Sequence, residues 1–370
     1  MRIPRELHPV AWWCWAIGLA VAATSTTNPV LLGLVVAVTC LVVLTCRSDQ
    51  PWARAFRLYL WVGAAIVVIR VLFRLVLGGN SPGHVWIALP EVPLPDWAAG
   101  VSLLGPFTRE EFLAGAYDGL RLAGLVIAVG AANALANPKR LMKSLPPALY
   151  EVGTAMVVAI SVLPQLADSA RRVRAAQRLR GGDSGRIRGL RRLVVPVLED
   201  ALERSLSLAA GMDARGYGRT CAVSAGQRRS TGALMIGGLL GVCVGVYAVL
   251  DGSAPRLMAV PMLLLGTALA LAGFVVAGRR VRRTRYRPTR WQLPEFVVAA
   301  SGVVVGAGAW AVQRWDYAVA HPGVTELPAV SLPSVLVVLV AVVPVWAAPP
   351  PVTTRTAAPV RADDPEVVPS

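Results

Sequence analysis

The residues best equipped for chemistry in this chain are arginines, and they recur at two similar segment endings. One is Ala176-Gln177-Arg178-Leu179-Arg180-Gly181, and the other is Met212-Asp213-Ala214-Arg215-Gly216. A guanidinium is a planar fork of donors that stays charged at physiological pH and makes charge-assisted hydrogen bonds to carboxylates, phosphates and carbonyls. Each ending reads as a helix finished by an arginine and stopped by glycine, the residue that most readily adopts the left-handed backbone of a helix end. That arrangement suits insertion into a groove, and it does not suit bond-breaking. The sequence has no G-x-x-x-x-G-K-[ST] phosphate loop, no H-E-x-x-H and no G-x-S-x-G. Cys14, Cys40, Cys46, Cys221 and Cys243 lack metal-ligand spacing and read as small hydrophobes, and His8, His84 and His321 lie far apart. No catalytic residue, metal site, cofactor or disulfide framework is expected.

The elements that must carry these arginines are set by composition. Of 370 residues, 55% are hydrophobic and 16% charged, with mean hydropathy +0.57. A soluble domain carries about a quarter charged residues, so the chain reads as a polytopic membrane protein. The formal charge is +16, and Lys139 and Lys143 are its only lysines. The arginines cluster between apolar runs, as orientation by the positive-inside rule requires, so no nucleic-acid partner is expected.

The predicted class is all-α, with eight membrane spans and two long amphipathic cytoplasmic helices. Residues 10–46 are apolar but broken at Thr24-Ser25-Thr26-Thr27-Asn28-Pro29. A bilayer core of about 30 Å needs about 20 residues, so this stretch reads as two helices joined by a tight hairpin. The first helix is expected to be retained rather than cleaved. Arg47, Arg54 and Arg57 mark a cytoplasmic loop before a third span over 58–77, and the Gly/Pro-rich linker 78–108 is expected outside. A fourth span covers 111–136. Arg70, Arg74, Asp118 and Arg121 in these spans read as snorkelling groups and a structural ion pair, or as a contact site for a partner or solute. Residues 146–164 are apolar but flanked by cytoplasmic charge, which suits a surface or half-inserted helix. Four further runs follow at 231–250, 256–277, 294–312 and 331–348, with seven arginines between Arg279 and Arg290 placing the middle loop inside. This places both termini in the cytoplasm. Gly237, Gly241 and Gly245, and Gly302 and Gly306, predict close helix packing within the protein. The organisation expected is membrane helices over 1–145, a cytoplasmic segment over 146–229, membrane helices over 230–348 and a disordered tail over 349–370.

The polar interval 165–229 holds fourteen arginines against six acids. Leu166, Val173 and Gln177 fall on one helical face of its first segment, with arginines on the other. In the second segment, Pro196 reads as the first helical residue, Glu199, Asp200 and Glu203 as acids of the first turns, and Arg215 as the base of the last. Leu202, Leu208 and Met212 keep the spacing of three and four. Two basic amphipathic helices could lie on anionic lipid. The repeated arginine-glycine ending favours protein docking instead.

Those endings resemble the paired Ala-Arg-Gly signatures of the transmembrane T component of energy-coupling factor (ECF) importers, the EcfT/CbiQ family. The resemblance covers about residues 8–220. It includes His8-Pro9, Asn28-Pro29, Gly119-Leu120-Arg121-Leu122, Pro138, Leu163-Pro164 and Ala176-Gln177, and more loosely Arg283-Thr284-Arg285-Tyr286-Arg287. The first signature departs in carrying Leu179 where alanine is typical, and the runs near 231–277 and 331–348 lengthen the chain beyond the usual T component.

The resemblance implies a non-catalytic permease subunit of a bacterial plasma membrane. Its partners would be two cytoplasmic ABC ATPases and a substrate-binding S component, importing a vitamin or a transition-metal ion of the cobalt type. Arg180, Gly181, Arg215, Gly216, Ala214 and Gln177 would dock the ATPases. Leu166, Val173, Leu202, Leu208 and Met212 would pack the two coupling helices and the S component. A stand-alone secondary transporter is an alternative, as is a membrane scaffold whose basic helices bind lipid.

Overall fold

Asn28 and Pro29 end one helix approach and start the next. The computed structural model describes residues 5–77, 83–88, 90, 92–93, 102–144, 147–179, 186–216, 224–251, 256–280 and 291–351. In it α1 (Pro9–Thr24) and α2 (Pro29–Cys46) form the expected hairpin. Proline at the first position of each helix loses no hydrogen bond there. The His8 ring accepts the Val10 amide at 3.3 Å and Asn28 accepts the Val30 amide at 3.0 Å, capping the two starts. The fully buried Asn28 also donates to the carbonyls of Val319, at 2.9 Å, and Ala329, at 2.8 Å. Thr26 donates to Ala320 at 2.6 Å. One polar turn thus fastens the α1–α2 hairpin to a loop almost three hundred residues later.

The chain divides into two compact units, 1–141 with 289–370 and 142–288. In the first unit α1 is the buried centre, with Trp15 and Leu19 wholly inside. It packs on α4 (Arg109–Leu135) and α10 (Leu293–Trp315). Contact with α10 is backbone to backbone: a side-chain carbon on Gly18 would overlap the Gly302 carbonyl, and one on Gly302 would overlap Trp15. Gly306 faces Gly18 in the same seam, so the Gly302–Gly306 face packs as expected. The run 331–348 is helical but interrupted, as α12 (Leu332–Leu339), a 3-10 turn over Val340–Val342 and α13 (Pro344–Ala347). Pro344 follows this break, and the Trp15 indole donates to the Ala341 carbonyl within it at 3.0 Å.

Outside this centre, α3 (Phe56–Val76) packs along α4, and Arg74 pairs with Asp118 at 3.1 Å across them. Arg121 donates to the Thr24 carbonyl at the end of α1. The described residues of the expected linker 78–108 are non-helical, as a linker requires, but they are also paired. They hold two short antiparallel strand pairs, β1 (Val85–Ala88) with β4 (Pro106–Thr108) and β2 (Val92–Pro93) with β3 (Ser102–Leu103). Backbone pairing satisfies peptide groups that no helix claims. Thr108 and Glu111 then close a capping box at the start of α4.

The short helix α5 (Pro138–Lys143) leads toward the second unit, which contains α6 (Tyr150–Leu179), α7 (Arg186–Ala214), α8 (Ala225–Leu250) and α9 (Arg256–Arg280). Helices α8 and α9 pack through Gly241 on Gly266 and Gly245 on Leu263, while Gly237 has no neighbour within 4 Å among the described residues and Gly238 takes its place beside Ala270. The short α11 (Tyr317–Ala320) belongs to the first unit.

Among the described residues, seven helical stretches are long and apolar enough to cross a membrane: Pro29–Cys46, Ala53–Val76, Arg109–Leu135, Val152–Leu179, Gly226–Leu250, Ala259–Arg279 and Leu293–Trp315. Six of these and two shorter apolar stretches, Pro9–Thr24 and Leu332–Ala347, match the eight expected runs, while Val152–Leu179, expected as a surface or half-inserted helix, also has the length and apolarity of a span. The architecture is all-α but for the small strand pairs, and polytopic by these spans. The expected disordered tail lies almost wholly outside the described residues.

Candidate functional site

The site is built on α6 and α7. Helix α6 is one continuous helix through Pro164, joining the apolar 150–164 stretch to the arginine-rich end. Helix α7 corrects the sequence reading at its start. It begins at Arg186, so Pro196 lies in its interior rather than at its first position. The upstream residues, rich in Arg and Leu, are good helix formers and carry the helix through the proline. Glu199, Asp200 and Glu203 consequently lie mid-helix, where the end dipole has little effect. Arg215 stands one residue beyond the helix, in the turn.

The two helices meet at one carboxylate. The buried Ser169 hydroxyl of α6 donates to Asp200 of α7. Arg172 of α6 lies 3.6 Å from Asp200, and Arg204 donates to it from its own helix at 2.9 Å. The Ser169 hydrogen bond, then that of Arg204, hold the Asp200 carboxyl below the usual carboxylate range. From this junction a cleft of about 750 Å³ extends between the helices, lined by Thr154 and Val158 of α6 and by Leu208, Met212 and Arg215.

The end of α7 has the expected geometry. Gly216 has φ +74°, a left-handed conformation that costs an L-residue about 1–2 kcal/mol. Its amide donates to the Asp213 carbonyl at 2.8 Å, and the Arg215 amide donates to Met212 at 3.2 Å. These bonds close the helix with Ala214 and Arg215 exposed at its tip. Among the described residues Arg215 makes no ion pair. Its fork is free to donate to a carboxylate or a row of carbonyls.

The other expected residues divide by helix. Leu166, Val173 and Gln177 are half-buried on α6, and Met212 is half-buried on α7. Leu202 and Leu208 are exposed, the first by 62%. With Leu198 and Leu206 they leave an uncovered leucine surface on α7. Arg180 and Gly181 lie outside the described residues. Sequence reasoning passed over Ser169 and Arg172, and gave Asp200 to the helix dipole. A serine on the apolar face of an otherwise basic helix, opposite an acid of the next, is the pattern that marks them.

Helices of membrane-crossing length in both units define a polytopic membrane component. The family model of the cobalt transport protein CbiQ matches residues 1–224. The match spans more than half of the chain, and the chain belongs to this family. It is also 27% identical over 192 residues to the energy-coupling factor transporter transmembrane protein EcfT of Leuconostoc gelidum subsp. gasicomitatum, covering 45% of this chain and 71% of that relative. The chain is a multi-pass, non-catalytic transmembrane component of an energy-coupling factor transporter.

Proposed function

We propose that α6 and α7 are coupling helices through which two cytoplasmic ABC ATPases drive a substrate-binding S component in a bacterial plasma membrane. Arg215 at the tip of α7 makes the charge-assisted contact to one ATPase, with Gly216 and Ala214 shaping the helix end. Arg180 and Gly181, with Gln177, do the same for the second. The observation that carries this reading is the exposed Arg215 followed by a left-handed Gly216 on a helix of a CbiQ-family chain. Leu202 and Leu208 offer apolar surface to the S component, while Leu166, Val173 and Met212 pack nearer the helix pair. Movement imposed on the tips is carried along the two helices through the Ser169–Asp200–Arg172 junction. The cargo is a vitamin or a transition-metal ion of the cobalt type, and its selection lies with the S component. Both termini face the cytoplasm, which keeps the basic loops at Arg47–Arg57 and Arg279–Arg290 inside.

The test is purification through a tag on this chain, from cells that also express candidate ATPases and an S component. The expected complex holds two ATPase subunits and one S component for each copy of the chain. A chain that purifies alone, and binds vesicles only when they are anionic and salt is low, would instead be a lipid-binding scaffold.

A further inference from the structure

Residues 5–8, just before α1, are tied to two places far apart in sequence. Toward α10, Arg5 grips both oxygens of Glu295, each at 3.0 Å, and Glu295 is 1% exposed. The His8 ring lies 5.4 Å from that of Trp291, one residue before the cap of α10. Toward the end of α4, the Glu6 carboxylate accepts from the Asn137 amide at 3.1 Å and pairs with Arg140 at 3.4 Å. Arg140 also donates to the Glu6 backbone carbonyl at 3.0 Å.

These places bracket the segment that carries α6 and α7. The chain leaves the first unit after Leu141 and returns at Thr289. Asn137 and Arg140 thus stand just before the departure, and Trp291 and Glu295 just after the return. One four-residue stretch holds both covalent attachment points from the first-unit side.

We infer that Arg5, Glu6 and His8 form a clasp that keeps these two attachment points together, and that Arg5 and Glu6 are positioning residues for energy coupling. The inference rests on the proposed role of α6 and α7 as the receivers of ATP-driven movement. A displacement of the inserted segment acts on the first unit through two chain crossings. If the crossings separate, part of the displacement is absorbed in opening them. Two features resist that opening. Release of Arg5 would strand the buried Glu295 charge, which is strongly unfavourable. Arg140 binds both the side chain and the backbone of Glu6, so sliding along one contact does not free the other.

The test uses the full chain, with its five native cysteines replaced by alanine, purified with its ATPase and S-component partners. Spin labels at Lys139→Cys and Leu293→Cys report the separation by pulsed electron paramagnetic resonance, without nucleotide and with ATP plus vanadate. The parent is expected to give one narrow distance that nucleotide does not move. Arg5→Ala with Glu6→Ala is expected to broaden the distribution without nucleotide and to shift it longer with ATP and vanadate. Arg5→Lys with Glu6→Asp restores the narrow distance. An unchanged distribution in the double alanine variant overturns the clasp, as does broadening that nucleotide does not shift. Should that variant fail to fold, Arg140→Gln at the solvent-facing pair gives the same reading: broadening with a nucleotide shift supports the clasp, and an unchanged or nucleotide-insensitive distribution overturns it. A parent that retains no ATPase overturns the proposed function, while the nucleotide-free widths still decide whether the clasp exists.

Discussion

Arg172 of α6 stands 3.6 Å from Asp200 of α7, in a contact the two helices share with Ser169. Asp200 carries the junction, because Ser169, Arg172 and Arg204 converge on its carboxylate. Its folded pKa is depressed, so the stabilisation is present above the ordinary carboxylate value of about 3.9 and is lost as pH falls through the folded value. Asp200→Asn keeps the shape and removes the charge. The separation of spin labels on α6 and α7 is expected to be wider in this variant than in the parent at pH 7. The two should converge in acid below the folded value. Equal separations at pH 7 would show that the carboxylate does not hold the helices.

The helix end at Gly216 is a backbone effect that can be isolated. Among the described residues a side-chain carbon there meets nothing within 4 Å, so a substitution tests the left-handed conformation. Gly216→Val is expected to fray the end, at a cost of about 1–2 kcal/mol, and to lower ATPase retention. Gly216→Asn should be milder, because asparagine tolerates this region best after glycine. Amide exchange at residues 212–216 reads the fraying directly. Full retention of ATPase by the valine variant would separate the helix end from docking.

Membrane packing gives a contrast between two glycines. Gly302→Ala places a methyl group in the Trp15 backbone and is expected to destabilise the first unit by about 1–3 kcal/mol. Gly237→Ala meets nothing within 4 Å among the described residues and should not destabilise the chain. Thermal unfolding in detergent ranks the two, and an equal effect would deny that the α1–α10 seam depends on close approach.

The features legible in the sequence were those set by neighbours along the chain. Thr24 to Pro29 announced a hairpin because Asn-Pro cannot continue a helix, and the arginine-glycine ending at 215–216 announced a left-handed stop. Gly302 and Gly306 announced a close seam by their spacing. Pro196 misled because proline fits the first turn of a helix best, yet a run of strong helix formers upstream carried α7 through it. The strand pairs of residues 85–108 were hidden because each is two to four residues long, too short for alternation to emerge. Asp200 lay in plain view, but its partners Ser169 and Arg172 sit on another helix. Arg5 and Glu295 are 290 residues apart, and periodicity carries no information about such a pair.

The central claim is that the arginine tips dock ATPases, and the most direct measurement is subunit stoichiometry by native mass spectrometry. For the parent, two ATPase subunits are expected on each chain. For Arg180→Glu with Arg215→Glu, none are expected, with the thermal unfolding of the chain unchanged because Arg215 is exposed and makes no ion pair among the described residues. Two ATPase subunits still bound to the doubly reversed chain would contradict the account.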